Sequence, residues 1–392
     1  MSGMKIVFKR FIRPQFLKRM GRAMLTRFFE EFAGELAAAN LALPTAALDD
    51  AAFFGGLARL LAAPEQLPDR LNEALFAIDE LSTPEGQEQL ETALARSGVP
   101  LEFEPGSSRA DLVLQAWLAA PEVVVRTHNR QRLRRLSTFE YFSAGVPGSA
   151  RPPFTPPDAG TLAALSARLD QWFARHQRGH NTTRCELYSI DAEYWFLVRH
   201  GDTFSRTPKV EAQQTEILHF RPERDDVVVY SPRLDEIRIN ARTRGERELY
   251  VRQFGQCLRG SEDYFSCRST YSLEPLRVEG PDALDTAGLE GIRKIVLREL
   301  EVAWDTPEQE RTILEASDLF AANGYSGRGG LEEVLAPPGR LARAGFDIHF
   351  HDSARPRPVQ IRLPNILKLG RHADARRVEE WLEAKGFRAP TA

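Results

Sequence analysis

The stretch Tyr194-Trp195-Phe196-Leu197-Val198-Arg199-His200-Gly201-Asp202-Thr203 decides the reading of this chain. Its first five residues are bulky, apolar and partly β-branched, which suits a buried strand. The run then breaks off at a polar segment that holds a histidine and an arginine. Two more strands are expected downstream. Val227-Val228-Val229-Tyr230 stops at Ser231-Pro232, and Ile237-Arg238-Ile239-Asn240-Ala241 alternates apolar and polar residues, the period of a strand with one face buried. Together they predict a mainly antiparallel sheet.

On the N-terminal side the chain reads as helices. Phe8, Ile12, Phe16, Met20, Met24 and Phe28 recur every four residues among basic residues, with Pro14 interrupting a single helix. Thr83-Pro84-Glu85 combines a cap hydroxyl with proline at the first helical position, and 111–119 reads as a short helix. Residues 145–160, with Pro147, Pro152, Pro153, Pro156 and Pro157, read as a linker stiffened by proline. A helix over 162–176 leads into the sheet. Beyond it, 271–278 and 291–304 read as strands, and Thr306-Pro307-Glu308-Gln309 reads as a helix start. The segments 345–352 and 359–363 read as paired strands, and 374–385 as a last helix stopped by Gly386. The expected class is α+β: a helical N-terminal region (1–144), the linker, a mainly antiparallel β-rich central domain (161–280) and a small α/β C-terminal domain (281–392).

A chain of 392 residues is long enough for two or three domains. The net charge of −3 leaves no global field toward nucleic acid or membrane, so such binding must be local. Cys185, Cys257 and Cys267 are odd in number and lack CxxC spacing, which argues against a disulfide framework and a cysteine zinc site and for a reducing cytoplasm. No apolar run approaches the roughly 18 residues of a membrane span. The abundance of Ala, Arg, Leu, Gly and Pro is that of a GC-rich, bacterial genome.

Arg199-His200-Gly201-x-Thr203 after a buried strand resembles the signature of the histidine phosphatase superfamily. The resemblance implies His200 as the nucleophile on phosphorus and Arg199 as a phosphate ligand, with a second histidine late in the domain. His349 and His351 are the candidates for that histidine. On one face of a strand they could also share a metal with Asp347. The plainer reading is a strand ending in a turn, with Arg199 and His200 at the surface. No complete catalytic motif is present, and no metal or cofactor is expected.

Two basic clusters stand out. Arg126, Arg130, Arg132, Arg134 and Arg135 occur within ten residues that contain no acid, and Arg355, Arg357, Arg376 and Arg377 lie near the C-terminus with Arg362 and Lys368. Guanidinium forks suit phosphates. The function expected is a non-catalytic subunit of a bacterial multiprotein assembly, with protein partners and nucleic acid held at these clusters, in a genome-processing or antiviral-defence setting. The alternatives are the divergent phosphatase and a membrane-surface protein held by residues 1–27.

Overall fold

The computed structural model describes residues 10–45, 47–99, 108–144, 154–211, 213–268, 270–322, 331–370 and 374–388. The chain divides into two units, 1–132 and 133–392. The first unit is helical: α1 (Pro14–Arg19), α2 (Arg22–Glu30), α3 (Ala33–Ala38), α4 (Asp50–Leu61), α5 (Asp69–Leu81), α6 (Pro84–Arg96) and α7 (Arg109–Ala119), followed by α8 (Pro121–Arg134), within which the division falls. Thr83 caps α6 as its sequence predicts, accepting from the Gly86 N–H at 3.0 Å. The four-residue stripe of the N-terminal segment is kept in part: Met20 and Phe28 are buried, and Phe16 and Met24 pack against the same core. Gly21, at φ 75°, separates α1 from α2. Phe11, Leu17, Met20, Leu25 and Phe28 then enter this unit's core while Ile12 is exposed. Residues 1–9, with Phe8, lie outside the described residues.

The second unit is built on a ten-stranded sheet. Its elements are β1 (Thr138–Ser143), α9 (Ala159–Arg175), β2 (Arg184–Ile190), β3 (Glu193–Gly201), β4 (Ser205–Glu211), β5 (Gln214–Phe220), β6 (Glu223–Ser231), β7 (Glu236–Asn240), α10 (Arg244–Arg259), α11 (Glu274–Val278), β8 (Ile292–Ala303), β9 (Arg311–Glu315), α12 (Leu331–Leu335), β10 (Arg340–Phe350), β11 (Arg357–Arg362), β12 (Ile366–Leu369) and α13 (Ala375–Ala384). The strand order is β2-β3-β6-β7-β1-β12-β11-β10-β8-β9, and every neighbouring pair is antiparallel. The class is α+β. A boundary between central and C-terminal domains at 280/281 would cut this sheet: β1 pairs with β7 on one edge and β12 on the other, through Tyr141↔Arg238 and Phe139↔Leu367. Strand pairing is invisible to local periodicity, so a sheet that runs across 280/281 cannot be read from it.

The period of two along β3 sets both sides of the sheet. Trp195 and Leu197 enter one core with Phe346, Ile348 and Trp381, while Phe196 and Val198 enter the other with Leu169, Phe173, Tyr250 and Phe254. Helices α9 and α10 therefore cover the β2-β3-β6-β7 half of one face, and α13 lies on the opposite face. On the β8, β10, β11 and β12 half, the side opposite α13 carries Lys294, Arg298, Arg343, His349, Gln360, Arg362 and Lys368 with the acids Glu299, Glu301 and Asp347 and the apolar Val296 and Ile366, and joins no hydrophobic cluster among the described residues.

Two local expectations are overruled by pairing. Thr306-Pro307-Glu308-Gln309 starts no helix; it turns the chain, with Gln309 at φ 53°, so that β8 and β9 pair through Val302↔Thr312. The 271–278 segment makes one bridge, Tyr271↔Arg388, and then forms α11 instead of a strand. The expected strands at 291–304, 345–352 and 359–363 and the last helix are present as β8, β10, β11 and α13. Nine residues of the linker, 145–153, and the glycines at 324–330 lie outside the described residues.

Candidate functional site

His200 closes β3 and points to the α9/α10 side, where it is fully buried. Its ring stacks on Phe173 of α9 at 3.9 Å between centroids and 12° between planes. Nδ1 lies 2.8 Å from the Gly201 carbonyl oxygen, which can only accept, so Nδ1 carries a proton. Nε2 faces Asp226 Oδ2 of β6 at 3.1 Å, and that oxygen also accepts from the Tyr250 hydroxyl of α10 at 2.8 Å. Glu246 approaches from the first turn of α10. It forms a capping box with Thr243: the Glu246 N–H donates to Thr243 Oγ1, and the Thr243 N–H donates to Glu246 Oε2 at 2.6 Å. Arg178 NH1 lies 2.7 Å from Glu246 Oε1 and 3.3 Å from Asp202 Oδ1.

Asp202 anchors the turn after His200. Burial pushes its carboxyl up, but the Thr203 N–H, Arg224 and Arg178 together hold it below the usual range. Asp170 of α9 does the same for the facing loop by accepting from the Asn181, Thr182 and Thr183 N–H groups at 2.8, 2.9 and 3.1 Å. Gly201 sits where these segments meet. A Cβ there would lie 2.4 Å from the Arg178 carbonyl oxygen and 2.5 Å from Arg221 Cδ. Gly201→Ala is therefore expected to lower stability by about 1–3 kcal/mol through overpacking against backbone; urea unfolding of the variant checks it, and an unchanged midpoint would show that the loop moves aside freely.

The phosphatase pair is not assembled. Successive residues of a strand project to opposite faces. His200 is buried beneath α9, while Arg199 lies on the other side, within 3.1 Å of Asp225 and 3.4 Å of Glu186. One phosphoryl group cannot meet both side chains, and the buried imidazole has no open in-line approach. The turn reading is corrected in one respect, since neither residue is a freely exposed surface group. His349 and His351 do not share a strand face: His349 is on β10 opposite Lys294, whereas His351 follows the strand's end and is exposed. Cys185, on β2 facing α9, is disfavoured as a nucleophile at neutral pH, because burial pushes its thiol up to about 12.

The basic clusters fare differently. Arg126, Arg132 and Arg135 are exposed, Arg130 is half-buried, and Arg134 pairs with Asp191 at 2.8 Å. In the C-terminal cluster Arg357 pairs with Asp374, Arg376 with Glu380 and Arg377 with Asp352, leaving Arg355 at the surface. Arg362 and Lys368 instead project from neighbouring strands onto the uncovered face, which at β8 and β10 also carries a shallow groove lined by Arg293, Lys294, Val296, Arg298, Ser317, Asp347 and His349. Sequence reasoning passed over Arg293, Lys294 and Arg298, although their positions in the amphipathic strand 292–303 are readable once its register is known. It also passed over Asp226 and Glu246, for which the Thr243-x-x-Glu246 capping pattern was the available signal.

No protein-family model matches the chain, and no curated protein matches it. No helix among the described residues is long and apolar enough to cross a membrane.

Proposed function

We propose that this chain is a non-catalytic binding subunit of a bacterial cytoplasmic assembly, and that the uncovered face of β8, β10, β11 and β12 holds the sugar-phosphate backbone of a nucleic acid. The observation that carries the reading is that face: among the described residues half of one side of a large sheet bears no apolar cluster and displays charged side chains instead, Arg293, Lys294, Arg298, Arg343, Arg362 and Lys368 against Glu299, Glu301 and Asp347. Lys294 and Arg298 have acidic neighbours, Asp318 at 3.2 Å and Asp347 at 3.4 Å. Arg293, Arg362 and Lys368 make no ion pair among the described residues, so their charges are available to phosphates. The exposed arginines of 126–135 supply a second basic segment. The assembly part of the proposal is supported by the β4–β5 hairpin, whose two strands pair only with each other. Phe204 is 63% and Val210 79% exposed there, with Leu218 and Phe220 also at the surface. A lone two-stranded hairpin is marginal in water, and such a surface suits a protein partner.

The test is a salt titration of binding to labelled duplex DNA and single-stranded RNA. Each neutralised phosphate contributes about −0.9 (duplex) or −0.7 (single strand) to the slope of log K against log salt. Arg293→Ala, Arg362→Ala and Lys368→Ala combined should flatten that slope by roughly 2–3. An unchanged slope would remove the face from the proposal, and absence of binding at low salt would remove the nucleic acid.

A further inference from the structure

Nucleic-acid binding leaves the buried cluster around His200 without a role. One nitrogen of His200 and one carboxylate oxygen each of Asp226 and Glu246 lie within 4.8 Å of one another, and all three residues are buried. With Nδ1–H committed to the Gly201 carbonyl, the neutral ring presents its Nε2 lone pair to a carboxylate oxygen 3.1 Å away. Two lone pairs do not face each other at that distance unaided, so either a proton or a metal ion lies between them. Zinc bonds of about 2.0–2.2 Å to nitrogen and oxygen place two donors of a tetrahedral ion roughly 3.3–3.6 Å apart, so His200 and Asp226 would open by a few tenths of an ångström to seat one. Glu246 points the same way. Its Oε2 is used by the capping box, and its buried Oε1, ion-paired to Arg178 NH1 at 2.7 Å, is the oxygen that would exchange the guanidinium for the metal. The outer contacts also suit a metal centre: the Gly201 carbonyl orients the imidazole, and the Tyr250 hydroxyl orients the Asp226 carboxylate.

The geometry points to a structural site for one first-row divalent metal ion, held by His200 of β3, Asp226 of β6 and Glu246 of α10. One imidazole with two carboxylates is a donor set for zinc or manganese rather than for a soft ion such as copper(I). Arg178 remains paired with Asp202 when Glu246 turns to the ion. Burial requires the metal to enter during folding or through local opening, so release should be slow in the native state. The competing occupant of the same space is a proton, which would make His200 an imidazolium paired with Asp226.

The full chain is unfolded, refolded with excess zinc or manganese, desalted and assayed for metal. One tightly held ion per chain is expected. Adding the metal at about a hundredfold over Kd should raise Tm by roughly 5–10 °C, and cobalt(II) in place of zinc should give the visible absorption of an inner-sphere nitrogen and oxygen site. His200→Gln and Glu246→Gln should each abolish retention, whereas His349→Ala with His351→Ala should keep it, separating this cluster from surface histidines. If the ligand variants do not fold, the cobalt spectrum and metal content of the unaltered chain still decide. Refolded chain that retains neither metal and shows no Tm shift, with both His200 ring nitrogens protonated by nitrogen NMR, would overturn the site. Retention by both ligand variants would overturn it as well.

Discussion

Arg388→Met is expected to destabilise the second unit by about 3–5 kcal/mol, because it strands a buried carboxylate. Arg388 is 3% exposed and its guanidinium bonds Glu236 Oε2, itself on a residue 1% exposed. Burial acts against the guanidinium, and the Glu236 carboxylate more than offsets it. Arg238 lies nearby on β7, paired with Glu193 and Glu379, so the carboxylate would retain one distant cation and lose its direct donor. The double variant Arg388→Met with Glu236→Leu should recover most of the loss, since a buried pair exchanged for apolar residues of similar volume is often neutral. Urea unfolding of the two singles and the double measures this as a cycle. Equal losses in the single and double variants would mean that Arg388 acts through packing over Tyr141, whose ring it overlies at 5.8 Å, rather than through charge.

Trp381→Ala should cost about 3–5 kcal/mol, the range for removing a buried large aromatic. Trp381 is the largest fully buried side chain among the described residues; it meets Phe346 of β10 edge-to-face at 5.2 Å and Phe387 at 5.1 Å. It fastens α13 to the sheet. Trp381→Phe should lose much less, because the ring contacts survive and the indole N–H has no hydrogen-bond partner to forfeit. A loss below 1 kcal/mol for the alanine variant would show that α13 repacks.

The elements that sequence made legible are those whose signal is local. The apolar run at Tyr194, the triple valine before Tyr230 and the Val378, Trp381, Leu382 stripe all state their own period and are found as β3, β6 and α13. Thr306-Pro307 misled because a good cap is a weak preference, overcome when β9 can pair with β8. Strands β4 and β5 were not anticipated: Pro208, Lys209, Glu216 and His219 give no apolar alternation, as expected of strands with little buried surface. For the candidate site, His200 was visible as a residue type but its environment was not. Phe173, Asp226, Glu246 and Tyr250 reach it from three other elements, and their convergence follows from the placement of α9 and α10 on β3 and β6.

The placement of β1 has a consequence for biosynthesis. This strand emerges early, yet its backbone is completed by residues made much later: the Tyr141 N–H donates to the Asn365 carbonyl, and the Asn365 side-chain amide donates back to the Tyr141 carbonyl across 224 positions of sequence. While the ribosome is still translating the 281–365 segment, β7 can pair with one edge of β1, but the other edge stays unpaired and adhesive. Assembly of the sheet therefore waits until β12 has been made, the slow, non-local kind of folding. Nascent chains truncated before β12 should be the species that chaperones retain and that aggregate when chaperones are scarce.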